Sequence, residues 1–522
     1  MSKYLVKRLF FGILSACAAT IIVMVMIYSL LDRNLVFAMD PVYSHQTNNA
    51  KTTYKFRKWK EYGYLDYVTY ADYLKKLVNE GEIDEATREA VATLPRKMES
   101  AEGETAEYIQ KFTDYYESQG YTVVSLDAVM AKRKVASGGS QALFAHKDTP
   151  LIMRVLKYFG SIFTVDNVHN VEEDIENRGL TWTWYDPVYG GEKFSPALIG
   201  NGTTHKYLIY FDDRFPYFHQ NLLAISLGTS YVVNQGVDVF TTMTKTQGSY
   251  VKTMMTFPTG LQEESADDLH SLTYAAGSLA TNTVAAERFT DDYTNVLTVN
   301  NSMSKIGFSF VMGILSSFFA YLFGVPLGIL MARKKDKLAD KLGTIYIVFS
   351  LAVPSLAYIF MVKAIGGSFG LPTTFDLEKN SNAMFVLPII SLMLPQLGNL
   401  MKWLRRYMID QMNSDYVKFA RSGGLSESEI FSKHIFKNAA IPLIHGLPST
   451  ILGALVGAII TERVYVVPGA GNLLTRAINA YDNSVIVGLT LFYALLSVVS
   501  VILGDLLITL VDPRISFVSK AR

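Results

Sequence analysis

The sequence predicts a polytopic α-helical membrane protein of about six transmembrane helices, with a large mixed α+β extracellular domain inserted between helices 1 and 2. Three observations lead there. Half of the 522 residues are hydrophobic and only 18% are charged, a balance too apolar for an ordinary soluble chain. Apolar runs long enough to cross a bilayer occur once at the N-terminus and five times after residue 305. Between the first run and the second lies a polar, tyrosine-rich stretch without such a run.

The same composition excludes other classes. A net charge of +1 gives no general case for nucleic acid, and neither a Gly-x-x-x-x-Gly-Lys-Ser/Thr loop nor a His-Glu-x-x-His pair occurs. The chain therefore brings no recognisable ATPase or zinc chemistry, and no cofactor is expected. A single cysteine, Cys17, excludes an intramolecular disulfide framework.

Lys3, Lys7 and Arg8 precede an uncharged run over residues 9–31. At about 1.5 Å per residue this run covers the roughly 30 Å of hydrocarbon in a bilayer. Leu14-Ser15-Ala16-Cys17 after a basic start also resembles a lipoprotein cleavage box. A signal peptide turns polar after an apolar region of roughly 7–15 residues, whereas this run continues far past Cys17. An uncleaved first span is expected, closing a segment of residues 1–31.

Residues 32–305 read as a folded domain outside the membrane. Tyr108, Ile109, Phe112, Tyr115 and Tyr116 fall at helical spacing, and 120–124 and 207–211 read as strands. The aromatic run Thr181-Trp182-Thr183-Trp184-Tyr185, near Gly190-Gly191, suits a peptide-contacting or docking surface or core packing; core packing is the expectation. Lys132-Arg133-Lys134 beside the Ser/Gly stretch 137–140 reads as a solvated loop.

The later spans are expected at 306–331, 342–365, 383–400, 441–460 and 485–511. Basic residues cluster at the N-terminus, at Arg333, Lys334, Lys335, Lys337 and Lys341, at Lys402, Arg405 and Arg406, and at Arg514, Lys520 and Arg522. The positive-inside rule puts all four groups in the cytoplasm, which needs an even number of spans and places 32–305 outside. Prolines 326, 354, 388, 395, 442 and 448, with Gly324, Gly328, Gly453 and Gly457, favour a packed transporter over a simple anchor, since such breaks survive where other helices or a water-filled cavity cover the freed groups; they do not identify which helix lines a path. Gly453-x-x-x-Gly457 suits a close helix contact within a pair of such subunits. Among intramembrane ionisable groups, Lys363 is expected to snorkel to the outer interface, His445 to bond a neighbouring helix, and Asp505 to find a structural partner.

Residues 415–442 interrupt this apolar pattern. Ser414 or Asp415 caps a short helix carrying Tyr416, Val417, Phe419 and Ala420, and Gly423-Gly424 supplies a left-handed helix end. Ser426 and Glu429 form a capping box before Ile430, Phe431, His434 and Ile435. The segment is expected to be helix, glycine bend, helix.

Its string Asp-Tyr-Val-Lys-x-Ala-Arg-x-x-Gly-Leu-Ser-Glu, continued by His434, Asn438-Ala439 and Ile441-Pro442, resembles the EAA loop of ATP-binding-cassette importer permeases in their oligopeptide/dipeptide form. Tyr4-Leu5-x-Lys7-Arg8-Leu9 resembles the opening of peptide permeases, and Glu462-Arg463-Val464-Tyr465 with Pro468-Gly469-x-Gly471 their loop after the fifth span. Gly504-Asp505-Leu506-Leu507 with Asp512-Pro513-Arg514 resembles their last helix and exit. Asn221-Leu222-Leu223 and Leu227-Gly228-Thr229-Ser230 resemble the segment between their first two spans, enlarged here as in the longer Ami-type members of Gram-positive bacteria.

The resemblance implies the type I importer permease class, with a core over 306–514, an EAA coupling loop within 402–440 and a cytoplasmic tail of 515–522. In that family the loop forms a coupling helix seated in a groove of the cytoplasmic ATPase. Ala420 takes the family's small position and Gly424 its glycine; Asp415, Tyr416, Arg421, Leu425, Ser426, Glu427 and His434 complete the expected ATPase-coupling set. Gly423 stands where many members carry Lys or another polar residue, and Lys437 where sugar permeases carry proline.

The expected function is one permease subunit of an ATP-driven importer that moves oligopeptides from an extracellular binding protein into the cytoplasm. Implied partners are a second homologous permease, two cytoplasmic ATPase subunits, an extracellular peptide-binding lipoprotein, the peptide substrate and membrane lipid. ATP hydrolysis falls to the separate subunits. The chain is expected in the plasma membrane of a Gram-positive bacterium with both termini cytoplasmic. The same motifs serve permeases for dipeptides, nickel or another small solute. From a different class, a membrane-anchored surface receptor or cell-wall assembly factor would use 32–305 as its working part. No nucleophile-base or metal spacing argues for an enzyme.

Overall fold

The computed structural model describes residues 2–95, 97–127, 133–134, 142–170, 177–186, 190–211, 218–245, 247, 254–256, 258–260, 262–264, 273–274, 294–295, 303–377 and 381–511. The expected tail at 515–522, the Asp512-Pro513-Arg514 exit, Lys132 and the 137–140 stretch lie outside the described residues. The chain begins with helix α1 (Ser2–Leu30), which runs without interruption through the basic start and the apolar run. It gives way where Asp32 accepts a hydrogen bond from the Asn34 amide and caps a 3₁₀ turn, Arg33–Phe37.

The chain divides into two compact units. The first comprises Met24–Gly160 with Ala480–Asn483. Strand β1 (Leu65–Thr69) buries alternate residues, and Thr69 with Asp72 closes a capping box that starts α2 (Tyr70–Asn79). Helix α3 (Gly103–Ser118), β2 (Thr122–Ser125), β3 (Leu143–Asp148) and α4 (Leu151–Gly160) follow. The strands form an antiparallel sheet in the order β1-β3-β2, with Tyr67 and Thr122 both in register with His146. The tyrosine-rich helix expected around residue 112 is α3; its Phe112 and Tyr116 meet Tyr70, Tyr73 and Leu74 in the core. Tyr73 and Phe112 pack edge to face at 5.4 Å.

The second unit comprises Met1–Val23, Ser161–Asn479 and Ser484–Arg522. It carries an antiparallel sheet of β4 (Gly179–Thr183), β5 (Ala197–Asn201), β6 (Tyr207–Phe211) and β7 (Phe218–Gln220), each strand beside the next in sequence. The aromatic run at 181–185 does not pack in a core as expected. Trp182 and Trp184 are 43% and 55% exposed, their rings contacting each other at 5.1 Å, with Trp184 stacked on Phe194. Strand β4 is a sheet edge, and its burial pattern leaves Leu180, Thr181 and Trp182 exposed in succession.

The helices after residue 303 are α5 (Lys305–Arg333), α6 (Leu338–Ala352), α7 (Ser355–Ser368), α8 (Val386–Met412), α9 (Asp415–Ser422), α10 (Lys437–Tyr465), α11 (Ala470–Asn479) and α12 (Asn483–Val511). Among the described residues five helices are long and apolar enough to span a membrane, and six if the bent pair α6–α7 is one span. That pair is where an unbroken span over 342–365 was expected. Pro354 has no amide to donate and disfavours helical backbone at Val353, which adopts ψ 127°; the two halves bend by 110°.

Helix α5 lies along α8. The approach needs Gly324, where a Cβ would sit 2.8 Å from Leu400 Cδ2 and 3.1 Å from Leu397 Cδ1. Buried Asp340 accepts from Arg405 Nε at 2.5 Å and Nη2 at 2.7 Å, tying α6 to α8 and engaging one arginine of the basic cluster expected in the cytoplasm. Glu462 is wholly buried and accepts from Ser309 Oγ at 2.6 Å and from the Asn472 amide at 2.8 Å, holding the 466–472 turn against α5. Lys363 donates to the Val464 carbonyl at 2.7 Å, turning toward α10 where snorkelling was expected.

Asp505 has the structural partners the sequence called for. Arg8 Nε approaches it at 2.7 Å, the Tyr4 hydroxyl donates at 3.2 Å, and His445 Nε2 lies at 3.5 Å. A buried carboxylate stripped of its cation is costly. Arg8→Ala is expected to destabilise the protein by on the order of 3 kcal/mol, seen as a lower Tm in detergent, with most of the loss recovered by combining Arg8→Met and Asp505→Leu. An Arg8→Ala protein that melts with the wild type would refute the pairing.

Candidate functional site

The segment singled out in the sequence folds as helix, glycine bend, helix. At about 100° per residue α9 is amphipathic. Val417 is completely buried and Ala420 half-buried, and with Ile430, Ile435 and Ala439 they pack on Ala332, Leu404 and Met408. Burial of each aliphatic side chain contributes about 1.5–3 kcal/mol, so the segment is seated by its apolar face. Gly424 adopts φ +80°, the left-handed conformation that a β-branched residue opposes. Ser426 Oγ then accepts from the Glu429 amide while the Glu429 carboxylate accepts from the Ser426 amide, each at 3.3 Å.

The second helix opens with Glu427–Glu429, widens into a π-helical turn at Ile430–Phe436 and continues as α10. Residues 402–412 belong to α8 and 437–440 to α10, so the distinct segment is narrower than the 402–440 loop expected. Ser414 does not cap through its side chain; its hydroxyl donates to the Gln411 carbonyl at 2.6 Å.

The predicted residues fall on two sides of this segment. Tyr416, Ala420 and His434 are half-buried; the Tyr416 hydroxyl donates to Gln411 Oε1 at 2.6 Å, and its ring lies 6.4 Å from that of His434. Asp415, Arg421, Gly424, Leu425, Ser426 and Glu427 are exposed. Arg421 donates to both Glu427 oxygens, at 2.6 and 3.2 Å, bridging the bend, and Lys418 pairs with Asp415 at 2.8 Å. The predicted set also left out exposed residues, among them Lys418 and Phe419. Phe419 is 77% exposed, roughly 200° around the helix from buried Val417, a placement the helical period made legible.

A second feature was not assigned to any residues from sequence. A cavity of about 530 Å³ lies among α5, α7, α8 and α10, lined by Tyr321, Ser391, Gln396, Asn399, Thr450 and Thr461 among others, none of them charged. Pro395 and Pro442 form part of the wall. Gln396 is held in place by hydrogen bonds with Ser316 and Ser317, whereas Asn399 is exposed on the wall without a hydrogen-bond partner among the described residues. Gly453 also faces this space and has no neighbour within 4 Å of a Cβ. Among the described residues no group of three His, Cys, Asp or Glu side chains is arranged to hold a metal ion.

Residues 324–517 match the model of the binding-protein-dependent transport system inner membrane component. The oligopeptide transport system permease protein AmiC of Streptococcus pneumoniae TIGR4 is 33% identical over the whole of this chain and 99% of its own length. The dipeptide transport system permease proteins DppB of Lactococcus lactis and of Bacillus subtilis are each 28% identical, over 43% and 42% of this chain and 73% and 72% of their own. The chain belongs to this family of binding-protein-dependent transport permeases and carries the family's type I permease domain in a multi-pass membrane protein. As a permease subunit it is not itself an enzyme; the ATPase of such a transporter is a separate chain.

Proposed function

We propose that the protein is the membrane permease of an ATP-driven importer that moves oligopeptides into the cytoplasm. The observation that carries this reading is the likeness, over the entire chain, to a permease named for oligopeptide transport. The transporter comprises this chain, a second homologous permease, two cytoplasmic ATPases and an extracellular peptide-binding lipoprotein. Both termini and the 413–436 segment face the cytoplasm of a Gram-positive cell, and 32–305 lies outside, an arrangement supported by the distribution of basic residues.

The 413–436 segment is the coupling surface. Its apolar face fixes it to α5, α8 and α10, and its exposed side offers Phe419 with charges of both signs from Asp415, Lys418, Arg421 and Glu427. An exposed aromatic ringed by polar groups suits insertion into a groove on a partner protein. Closure of the ATPase pair would push on this surface and, through the continuous helix into α10, alter the cavity wall. The neutral, hydrogen-bonding cavity is this chain's share of the peptide path. Amide and hydroxyl groups pair with peptide backbone whatever the side chains, and a lining without charge does not sort substrates by charge.

Affinity purification of the tagged chain in mild detergent is expected to recover the second permease and the ATPases. Ala420→Asp, which places a carboxylate on the seated face, is expected to lose the ATPases while keeping the second permease. Equal ATPase recovery from both proteins would contradict the assignment. Asn399→Asp is expected to shift uptake toward cationic over anionic peptides of equal length, with ATPase recovery unchanged. An unaltered ratio in competition uptake assays would remove the cavity from the path.

A further inference from the structure

We propose that α4 is an interfacial membrane helix whose apolar face rests in lipid beside the end of α1. A short helix on a water-facing surface normally turns its apolar side inward. Helix α4 does the reverse. Ile152, Met153 and Leu156 are 72%, 45% and 61% exposed and share one side, and none of its residues is fully buried. The polar Arg154 points the other way, into its own unit, where Nε donates to the Gly63 carbonyl at 2.8 Å and the guanidinium lies 4.0 Å from the Tyr64 ring centroid.

The same guanidinium fixes the level of the helix. It sits 4.3 Å from the centroid of the Tyr28 ring, and Tyr28 is two residues from the end of α1. From Leu9, where the uncharged run begins, to Tyr28 is about 29 Å of helix, against about 30 Å of hydrocarbon. The end of α1 therefore emerges among the lipid headgroups, where tyrosine is favoured, and a helix held on Tyr28 lies at that depth. Lipid at this level covers the outward side chains. Lys157, exposed at the edge of the apolar face, reaches headgroup phosphates while its stem stays in the apolar layer. The helix would brace the first unit on the bilayer at the point where α1 leaves it.

The test uses the full-length protein in lipid nanodiscs. Cys17 is the sole cysteine, so Cys17→Ser provides a background for Ile152→Cys, Leu156→Cys and, as a water-exposed reference on α3, Glu117→Cys, each carrying a nitroxide label. Relaxation by oxygen, which partitions into the bilayer, is compared with relaxation by a water-soluble nickel chelate. At 152 and 156 oxygen collisions are expected to exceed chelate collisions several-fold, with the order reversed at 117. Chelate access at 152 and 156 equal to that at 117 would overturn the proposal by placing α4 in water. Protection of both positions from both reagents would overturn it by showing a protein partner in place of lipid. Gel filtration of each labelled protein at the wild-type volume keeps either result from being a folding artefact.

Discussion

The contact between the 413–436 segment and the helix ends beneath it is the constraint on which the proposed coupling depends. Val417, Ile430 and Ile435 enter one apolar seat with Leu404 of α8 and Ala332 of α5, so two turns of surface helix are tied to two long helices at once. Left-handed backbone at Gly424 and the Ser426–Glu429 capping box fix the angle between the turns. The Arg421–Glu427 pair bridges the same bend, but both groups are exposed and such pairs contribute little. The positioning of the exposed side thus rests on apolar burial and on one glycine.

From that seat the second turn leads without a break through the π-helical residues into α10, which walls the cavity with α5, α7 and α8. A continuous helix joining a surface contact to a cavity wall is the physical basis for the proposed coupling. The cavity also accounts for the prolines. Backbone interrupted at Pro395 and Pro442 is tolerated at membrane depth only where protein or water satisfies the freed groups, and both residues lie on that wall. Away from it, groups that would be costly in lipid are paired: Asp340 with Arg405, Asp505 with Arg8, and Glu462 with Ser309 and the Asn472 amide.

Local chemistry was legible in the sequence where a single residue type forces a conformation. The end of α9 at Gly424 and the capping box at Ser426 follow from such signals, while the helix through Phe112 and the strand at Tyr207–Phe211 follow from the spacing of apolar residues. Asp505 declared itself by charge alone, although its partner Arg8 lies almost the whole chain away and nothing in the sequence linked the two. Three features were not legible. The break between α6 and α7 was read as a continuous span because prolines are tolerated within α5, α8 and α10 but not at Pro354. The rings of Trp182 and Trp184 were given to a core because strand order, which makes β4 an edge, is a tertiary fact. The cavity is assembled from four helices whose polar residues are scattered through apolar runs, and only packing brings Tyr321, Asn399 and Thr450 to one space.

The coupling claim is tested most directly by measuring ATP hydrolysis and peptide uptake together in proteoliposomes that hold this chain, the second permease, its ATPases and the binding protein. With Gly424→Val the bend can no longer hold its left-handed backbone, and hydrolysis is expected to continue while uptake falls to background. Wild-type uptake per ATP in that variant would contradict the assignment of 413–436 as the surface through which ATP use drives transport.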